Sequence, residues 1–456
     1  MKRLKVRSLL KAIGIFVLLL TFLSLFAFSI RHVSIGGKKF GSFTKHINAF
    51  ANFPNTVERV LTSDELKGIH PSNIKMDSSF NEKNLLERDI YGLNSFFNKK
   101  KKGWEIRLFN FKDDSVIHRW YLDEKNLLGK DYLNRDIERL TPYNYMLLPD
   151  RQLITFYYKN YNLYRLDSNS AVIWHNTEKE YHHSLNLSVD SNIWICSSEP
   201  RGFNIGQGRD LHRNRKYSGF IDDFITKIDI ETGQVIYDKS VTEILVKNGY
   251  KNFVYGTTNN VYPFSPNEER DPLHLNDIEP VLNDGKYWEK GDLFLSLRHK
   301  SLIVHYRPSS NQIVNLIFGP FLYQHDVDIY SEKEISIFNN NTTNIGDSKD
   351  IYNDWNSHSN FPDDLTRSEL IIYNFENKTF RKHLNKHFID ENIYTQTDGL
   401  HEKLSNGDFY IESQNDGKMY IMNEDNIVMK KYFHSQTQKG FVQCPYWINI
   451  YENINF

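Results

Sequence analysis

The stretch Ile225-Thr226-Lys227-Ile228-Asp229, followed by the turn Glu231-Thr232-Gly233-Gln234 and by Val235-Ile236, decides the fold of this chain. Two short strands rich in β-branched residues, joined by a turn that contains Gly, predict a β-hairpin. The same pattern, in which the first strand ends in Asp, Asn or a substitute, recurs in order at residues 106–117, 163–174, 303–314, 370–380 and 419–429. Such repetition is typical of an architecture that is built from one repeated unit.

A second hairpin precedes five of the six copies. In it two apolar residues are matched across a turn, as in the pairs Leu147/Leu153, Leu187/Ile193, Ile278/Leu293, Ile329/Ile335 and Leu404/Tyr410. Two hairpins make a four-stranded sheet, so we predict an all-β fold, a six-bladed β-propeller. The first copy lacks a leading hairpin, and we expect the C-terminal segment 442–451 to supply a strand there, because an open ring leaves strand edges unpaired. A β-sandwich is the competing interpretation.

The composition agrees with a folded, mostly-β protein. The chain has 456 residues, including 31 Phe and 27 Tyr, and aromatic residues favour half-buried strands. Its 56 Lys and Arg balance 57 Asp and Glu, whereas a nucleic-acid-binding protein normally has an excess of basic residues. The two cysteines, Cys196 and Cys444, exclude a disulfide-rich scaffold and a cysteine-based zinc cluster.

The N-terminus has the pattern of a membrane anchor. Residues 12–30 carry no charge, and the basic residues Lys2, Arg3, Lys5, Arg7 and Lys11 precede them. A run of this length is about what a helix needs to cross a bilayer, and the basic cluster is expected to stay in the cytoplasm. We therefore expect a cytoplasmic basic segment (1–11), a transmembrane anchor (12–30), a neck (31–95) and a propeller domain (96–456) on the periplasmic side of the cytoplasmic membrane. A cleaved signal peptide is the alternative, although Phe26 and Phe28 interrupt the site that cleavage needs.

Three of the 17 histidines occupy one position of the repeat. His183, His274 and His325 each stand four residues before the first matched apolar residue of a leading hairpin, where two other copies have Tyr143 and Leu400. Equivalent positions of successive blades lie on a circle around the channel of a propeller. We therefore expect the three histidines to converge.

The residues beside these histidines favour an anion site. Asn276 follows His274 by two positions, and Arg298 ends the next strand of the same blade. A guanidinium matches the geometry of a tetrahedral oxyanion, and an imidazolium adds positive charge. Three histidines alone could instead bind zinc, but a nearby arginine disfavours a second cation.

Several short motifs follow one another between residues 104 and 432. They are Tyr181-His182-His183, His274-Leu275-Asn276-Asp277, Leu293-Phe294-Leu295-Ser296-Leu297-Arg298, Phe318-Gly319, Gln324-His325-Asp326, Ile337-Phe338-Asn339-Asn340, Asp398-Gly399-Leu400 and Leu404-Ser405-Asn406-Gly407-Asp408. Their order resembles that of the bacterial arylsulfate sulfotransferases (aryl-sulfate:phenol sulfotransferases). Members of this family are six-bladed propellers that move a sulfuryl group from one phenol to another without a nucleotide sulfate donor.

The resemblance implies catalytic roles for three residues. His325 would be the nucleophile that is transiently sulfated, and His274 and Arg298 would hold the sulfuryl oxygens. One departure from the family pattern is Asn340, which stands where an acidic residue is usual.

Other residues would complete the pocket as substrate-binding groups. His183 and Asn276 are implied by the resemblance, and Tyr143 holds the equivalent position of another blade. Thr395 or Thr397 would add a hydroxyl; the sequence leaves this choice open, and Thr397 is the candidate.

The expected function is thus a membrane-anchored sulfotransferase that moves a sulfuryl group from an aryl sulfate to a phenolic or glycan-like acceptor in a ping-pong cycle. The expected partners are these small molecules and the membrane, with no cofactor, no metal and no nucleic acid, and the oligomeric state stays open. One alternative is a non-catalytic propeller that binds an anionic saccharide or a partner protein. Another is a hydrolase or lyase that uses His183, His274 and His325 as metal ligands.

Overall fold

A computed structural model describes residues 2–34, 39–51, 73–98, 100–101, 103–123, 127, 141–157, 162–201, 220–255, 271–342, 367–435 and 438–454. The chain forms two compact units, one of Met1–His70 with Thr258–Arg270 and the other of Pro71–Thr257 with Asp271–Phe456. A large part of the expected neck, residues 52–72, lies outside the described residues.

The described part of the first unit is helical. It contains α1 (Lys2–Ser34), a short 3₁₀ turn (Gly41–Phe43) and α2 (Thr44–Ala51). Within α1, Ile13–His32 is 20 residues long, has a mean hydropathy of 2.6 and is not buried. A helix of that length spans about 30 Å, the thickness of a bilayer's hydrocarbon core. By length and composition, it fits a single-pass membrane anchor.

The second unit consists of six antiparallel β-sheets that follow one another along the chain. Ahead of them lie β1 (Asn73–Lys75) and β2 (Lys83–Asn84). The first three sheets contain β3 (Tyr91–Asn98), β4 (Gly103–Asn110) and β5 (Val116–Tyr121); then β6 (Pro142–Leu148), β7 (Gln152–Tyr157), β8 (Leu163–Leu166) and β9 (Val172–Asn176); then β10 (Glu180–Leu187), β11 (Ile193–Arg201), β12 (Phe220–Ile228) and β13 (Val235–Ser240).

The last three sheets continue the series. They contain β14 (Leu275–Pro280), β15 (Leu293–Leu297), β16 (Leu302–Arg307) and β17 (Gln312–Phe318); then β18 (Val327–Ser331), β19 (Glu334–Asn339), β20 (Glu369–Asn374) and β21 (Thr379–His383); then β22 (Leu400–Lys403), β23 (Phe409–Ser413), β24 (Lys418–Met422), β25 (Ile427–His434) and β26 (Phe441–Gln443), followed by β27 (Asn449–Tyr451). The connections include α3 (Val241–Lys247), α4 (Asn252–Tyr255), α5 (Asn385–Asp390) and the 3₁₀ turns Pro149–Arg151, Arg298–Lys300 and Gln414–Asp416.

The two ends of the second unit meet in its first and last sheets. β27 pairs with β3, so the first sheet has the order β27-β3-β4-β5, and the predicted closure by the C-terminal segment is confirmed. The last sheet is widened to seven strands by β26, β1 and β2. The first sheet begins at Tyr91, ahead of the expected domain boundary at residue 96. An all-β, propeller-like arrangement with an added N-terminal helix follows from this topology.

The register of the inner hairpins confirms three of the five matched pairs. Leu147 faces Leu153, Leu187 faces Ile193, and Ile329 faces Ile335. The pair Leu404/Tyr410 is wrong, because the turn is tight: Leu404 donates its N–H to the carbonyl of Asp408, and Tyr410 faces Glu402.

The pair Ile278/Leu293 is also wrong in register. Leu293 faces Pro280, and Ile278 faces Leu295. The hairpin extends one step further toward the loop, where Val281 donates its N–H to the carbonyl of Asp292.

Buried carboxylates fasten successive sheets to one another. Asp223 accepts the backbone N–H of Leu275 at 3.1 Å and thereby joins the third sheet to the fourth. Asp277 accepts the N–H of Val327 at 3.1 Å, which joins the fourth sheet to the fifth. Each of these bonds satisfies a backbone donor that would otherwise be buried without a partner.

Buried carboxylates join the remaining sheets in the same way. Asp326 accepts the N–H of His401 at 2.9 Å, which joins the fifth sheet to the sixth. Glu412 accepts the N–H groups of Trp447 and Ile448, both at 2.9 Å, and so holds the segment that leads into β27.

Candidate active site

Left-handed backbone positions mark the innermost strand of every sheet. In each case a non-glycine residue with φ between 48° and 60° lies within that strand or shortly before it: Asn144, His183, His274, Tyr323, Asp398 and Trp447. Such residues are strained, and they persist only where the surrounding structure holds them. His183, for example, is fixed by the side-chain amide of Asn144, which donates to its carbonyl at 3.0 Å. Because a strained residue lies in or shortly before the innermost strand of all six sheets, this part of the sheets is the candidate functional site.

The three predicted histidines converge as expected. The ring centroid of His183 lies 5.2 Å from that of His274 and 6.0 Å from that of His325. Their backbones are not equivalent, however, because His183 and His274 are left-handed, whereas Tyr323 takes that role in the fifth sheet. His325 reaches the cluster two residues later, where its N–H donates to the carbonyl of Phe338.

Residues from the remaining sheets close the cluster. The hydroxyl of Tyr143, in the second sheet, donates to Oδ1 of Asp398, beside the sixth sheet, at 2.7 Å. Trp447, which precedes the closing strand of the first sheet, lies 5.9 Å from His183 and 6.0 Å from Tyr143 between ring centroids. All six sheets therefore contribute a side chain to one connected site.

Arg298 supplies a buried positive charge to this site. Its side chain is 7% exposed, and its guanidinium lies 4.9 Å from the ring centroid of Tyr323. Nη1 contacts Nε2 of His299 at 3.2 Å, but Nε has no hydrogen-bond partner. Within the described residues, this guanidinium forms no salt bridge with a carboxylate. A buried cation with a free donor is costly unless an anion binds beside it.

Both ring nitrogens of His325 have partners. Nδ1 lies 2.6 Å from Oδ1 of Asn340, and Nε2 accepts the backbone N–H of Asp398 at 3.0 Å. An amide oxygen can only accept, so the proton of a neutral ring is on Nδ1 and the lone pair is on Nε2. Asn340 is itself fixed, because its NH₂ group donates to the carbonyls of Thr395 and Asp398.

A carboxylate holds His274. Asp271 contacts Nδ1 of His274 with Oδ2 and accepts the backbone N–H of the same residue with Oδ1 at 3.0 Å. The carbonyl of Asp271 also meets Nδ1 of His299 at 2.7 Å, and the rings of His274 and His299 stack 4.5 Å apart. The orientation of His274 is thus set by a group three residues ahead of it.

Burial keeps several imidazoles of the site neutral. It lowers the pKa of His325 well below the usual range, and the charge of Arg298 lowers it further. The pKa of His183 is lowered well below its usual range by burial and then by the charge of His182. Burial raises the pKa of Asp271, but the charges of His274 and His299 outweigh it and bring this pKa down to about 2. The site therefore combines neutral imidazoles with fixed charges.

The other predicted site residues differ from one another in burial and in hydrogen bonding. Asn276 is fully buried and donates to the carbonyl of Gln324 at 3.2 Å, while its Oδ1 has no hydrogen-bond partner. Thr397 is exposed, and its hydroxyl accepts from the side chain of Asn415 at 3.2 Å. Thr395 is buried and donates to the carbonyl of Thr397. Among the described residues, neither of these two hydroxyls is hydrogen-bonded to a histidine of the site.

Four residues of the site were missed as functional candidates: Asp271, Asn340, Asp398 and Trp447. Asn340 and Asp398 lie within the motifs Ile337-Phe338-Asn339-Asn340 and Asp398-Gly399-Leu400, so the order of these motifs carried a signal. Asp271 precedes His274 by three residues, a spacing that suits a local side-chain pair. Trp447 lies in the C-terminal segment, and only the pairing of β27 with β3 brings it to the site.

The groups of residues that could hold a metal differ from the predicted triad of His183, His274 and His325. Ligand atoms of His183, His325 and Asp398 lie within 4.8 Å of one another, whereas His274 groups with Asp271 and His299. Since Asn340 and the N–H of Asp398 already engage the ring nitrogens of His325, this histidine offers no free lone pair to a metal.

Comparison with known families identifies the family of the chain. The model of the arylsulfotransferase (ASST) family matches residues 144–434, which is more than half of the chain. The chain therefore belongs to the arylsulfotransferase family, and the predicted resemblance is confirmed. Family membership supports a sulfotransferase-type activity on small molecules. No curated protein sequence matches the chain.

Several solved structures are similar to the chain at low identity. A protein of unknown function from Bacteroides caccae has 12% identity and a TM-score of 0.45, over 79% of this chain and 98% of its own. A catalytically inactive virginiamycin B lyase from Staphylococcus aureus, with quinupristin, has 9% identity and a TM-score of 0.37, over 78% and 89%. A protein of unknown function from Desulfotomaculum acetoxidans has 7% identity and a TM-score of 0.38, over 79% and 98%. At these TM-scores the similarities carry no argument about fold or function.

Proposed function

We propose that this protein is a membrane-anchored arylsulfate sulfotransferase that moves a sulfuryl group from an aryl sulfate to a phenolic or related acceptor through a sulfohistidine at His325. The observation that carries the proposal is Arg298, a buried guanidinium with a free Nε beside three convergent histidines. A sulfate ester offers the anionic, tetrahedral oxygens that match such a donor. We further propose that the six sheets are the six blades of a propeller around this site.

His325 is the nucleophile in this proposal. Its Nε2 lone pair attacks sulfur, the N–S bond forms, and the bond between sulfur and the aryl oxygen breaks, so that a phenoxide leaves. Sulfuryl transfer gains mainly from positioning and from charge stabilisation, as phosphoryl transfer does. Asn340 keeps the proton on Nδ1 and thereby keeps the lone pair on Nε2.

The N–H of Asp398 must give up its bond to Nε2 before this attack. Once the donor is bound, the same N–H is suitably placed to donate to a sulfuryl oxygen beside Nε2. Arg298 and His274 hold the other oxygens. Asp398 precedes Gly399, whose φ is 103°, a value that glycine adopts readily and other residues adopt only with strain. The backbone would adjust at this turn.

A second histidine of the cluster protonates the departing phenoxide. In the second half-reaction the acceptor phenol gives its proton to the same histidine, its oxygen attacks sulfur, and the N–S bond breaks to restore His325. His183 and Asn276 contact the sulfuryl group, and Tyr143 lines the space for the aromatic ring. Thr397 stays the weakest of the proposed substrate-binding residues, since its hydroxyl bonds to Asn415.

The N-terminal helix anchors the protein in the cytoplasmic (inner) membrane in this proposal. The basic residues before it stay in the cytoplasm, so the neck that begins at residue 31 and the sheets that follow it lie on the periplasmic side. Tyr91–Asn98 already pairs in the first sheet, and the functional boundary therefore lies just before Tyr91.

A non-catalytic anion-binding propeller is the second candidate. The observation that favours it is the bond from the Asp398 N–H to Nε2 of His325, which occupies the lone pair that a nucleophile needs. Such a protein would bind a sulfated or otherwise anionic saccharide, or a partner protein, at Arg298 without turnover.

One experiment separates the two candidates. Purified full-length protein is incubated with a chromogenic aryl sulfate, and phenol release is followed with and without an acceptor phenol. We expect release only with the acceptor, its loss in His325→Asn, and loss of donor binding in Arg298→Ala. If a broad donor panel gives no turnover and anion binding survives in His325→Asn but weakens in Arg298→Ala, the non-catalytic candidate replaces the enzyme.

A further inference from the structure

The partner of the Arg298 guanidinium is an imidazole and not a carboxylate. Nη1 of Arg298 lies 3.2 Å from Nε2 of His299, the next residue in the chain. Among the described residues, this guanidinium forms no salt bridge. A buried arginine is usually paired with a carboxylate, because an unpaired charge is costly to bury. His299 thus takes the place that a carboxylate would normally have.

The hydrogen bonds of His299 fix its tautomer. Nδ1 lies 2.7 Å from the backbone carbonyl oxygen of Asp271, which can only accept, so this nitrogen carries the proton of the neutral ring. The lone pair is then on Nε2, where it accepts an N–H of Arg298. Burial lowers the pKa of His299 to about 4, and the neighbouring His274 lowers it too. The ring is therefore neutral near pH 7 and can accept a hydrogen bond from a cation.

Several neighbours hold the ring of His299 in place. It stacks on the ring of His274 at 4.5 Å with an interplanar angle of 27°, and the ring of Tyr323 meets it in an edge contact at 5.9 Å. The backbone N–H of His299 donates to the carbonyl of Leu273 at 3.0 Å. Together with the bond from Nδ1 to Asp271, these contacts restrict rotation of the ring. An acceptor that is fixed in this way defines a direction for the guanidinium.

The guanidinium of Arg298 is oriented by two groups. His299 accepts from Nη1, and the ring centroid of Tyr323 lies 4.9 Å from Cζ. A cation–π contact and a hydrogen bond to a neutral acceptor orient the group but do not cancel its charge. Nε is buried and has no hydrogen-bond partner. Burial and then the charge of Arg298 lower the pKa of His325, so the uncompensated charge lies close to that ring.

A carboxylate in the place of His299 would give a different site. It would orient the guanidinium, but it would also compensate the positive charge that attracts an anion. Asp271 illustrates the distinction, because its carboxylate contacts Nδ1 of His274, whereas only its backbone carbonyl contacts His299. The acid nearest to this pair in sequence therefore orients a second imidazole and leaves the charge of Arg298 available.

We propose that His299 is the positioning residue of Arg298: its neutral imidazole accepts an N–H from the guanidinium and orients it toward the histidines, where the sulfuryl group binds. This inference rests on the proposed function of Arg298 as the donor to an anionic substrate. His299 acts through Arg298 and not on the substrate itself. Its loss should therefore weaken anion binding only as long as Arg298 is present.

Two amide substitutions separate the two hydrogen bonds of His299. His299→Asn puts an NH₂ group near the position of Nδ1 and can still donate to the Asp271 carbonyl, but it is too short to reach Arg298. His299→Gln extends an amide oxygen toward the position of Nε2 and can still accept from Arg298. The probe is 4-nitrobenzenesulfonate, an anion whose sulfur is bonded to carbon, so its sulfonate group is not transferred. Calorimetry measures its binding to the full-length protein.

The expected results follow from the loss of one acceptor. His299→Asn should weaken probe binding about tenfold and lower kcat/KM for an aryl sulfate by roughly 10- to 100-fold, since a displaced donor is poorly aligned with the anion. His299→Gln should retain most of the affinity. In the weaker-binding Arg298→Ala background, His299→Asn should have no further effect on probe binding, whereas a purely structural role would weaken binding in both backgrounds. His175→Asn, at an exposed histidine of β9, is the control and should bind the probe as the wild type does.

Thermal unfolding keeps a folding defect apart from a positioning defect. If His299→Asn fails to fold, His299→Phe serves as the second variant, because its ring can keep the stack on His274 but offers no acceptor; the same weakened binding is expected. Undiminished binding in these variants, a loss in His299→Gln as large as in His299→Asn, or an equal loss in the Arg298→Ala background overturns the inference. Absence of probe binding by the wild type, or unchanged binding by Arg298→Ala, overturns the role of Arg298 as well. Probe binding that follows the expected pattern without turnover of any aryl sulfate contradicts the proposed transferase alone.

Discussion

At the scale of single residues, the state of His325 decides what the site can do. Its Nδ1 faces the Asn340 amide oxygen, and its Nε2 accepts the N–H of Asp398. A neutral imidazole held in this tautomer is a competent nucleophile once Nε2 is released. The neighbouring guanidinium of Arg298 favours the neutral form and also attracts the anionic donor.

Asn340→Ala tests the tautomer directly. Without an acceptor at Nδ1 the ring can place its proton on Nε2, so we expect kcat to fall by roughly 10- to 100-fold with little change in KM. The measurement is steady-state turnover of an aryl sulfate, with thermal unfolding as the check on folding. A rise in KM at constant kcat would assign Asn340 to substrate binding instead.

His182 makes a prediction about pH. Burial and the charge of His274 lower its pKa to about 4, so the unfolded chain, with an ordinary histidine, takes up a proton first as the pH falls. Stability from this group is full above about pH 6.5 and is lost toward pH 4, by roughly 3 kcal/mol. The difference in urea-unfolding free energy between wild type and His182→Gln should shrink as the pH falls through this range. A difference that does not vary with pH contradicts the assignment.

At the scale of elements, buried carboxylates join sheets that the backbone alone does not pair. Asp223, Asp277 and Asp326 each accept an N–H from the sheet that follows. Glu412 does this for the last junction, where it accepts from Trp447 and Ile448 and also receives the hydroxyl of Tyr410. The position of Trp447 in the site thus depends on Glu412.

Glu412→Gln should weaken this last junction. The amide keeps one acceptor but turns an NH₂ group toward a backbone N–H, so we expect a loss of about 2 kcal/mol in unfolding free energy. Glu231→Gln is the matched control, because the Glu231 side chain is exposed and its buried partner Arg165 keeps its bonds to Gln152 and to the carbonyl of Ile230. It should change stability by less than about 0.5 kcal/mol. Urea unfolding measures both. Equal stability of the two variants would mean that the closing segment is held by its apolar contacts.

At the scale of the whole molecule, the chain joins a sheet-built unit to an apolar helix. Six sheets in chain order, with the last strand paired in the first sheet, leave the two ends of the second unit fastened together. The segment Ile13–His32 has the length and the hydropathy of a membrane span. Catalysis and anchoring are therefore expected to be separable.

Deletion of residues 1–34 tests this separation. The full-length protein should remain in the membrane fraction after high-salt and carbonate washes, since burial of about 20 apolar residues is effectively irreversible. The truncated protein should be recovered in the aqueous fraction with the same kcat. Recovery of the full-length gene product in the aqueous fraction, with a new N-terminus after residue 30, would identify the helix as a cleaved signal.

Much of the site was accessible from the sequence because the fold repeats. His183, His274 and His325 could be placed together because each precedes a hairpin of the same pattern. The exact backbone position was not accessible: the left-handed residue of the fifth sheet is Tyr323, and only the hydrogen bonds of the following segment bring His325 back to the cluster. The spacing of the residues therefore predicted which side chains lie close together, but it did not predict their backbone conformations and hydrogen bonds.

The sequence by itself determined the all-β architecture, the closing role of its C-terminal segment and the convergence of the histidines with Arg298, because alternating apolar residues and turn chemistry are local properties that repeat. Only the tertiary structure decided the partners of those groups. Asp271, Asn340, Asp398 and Trp447 come from four different parts of the chain, and a hydrogen bond depends on position and direction in space, which residue order does not specify.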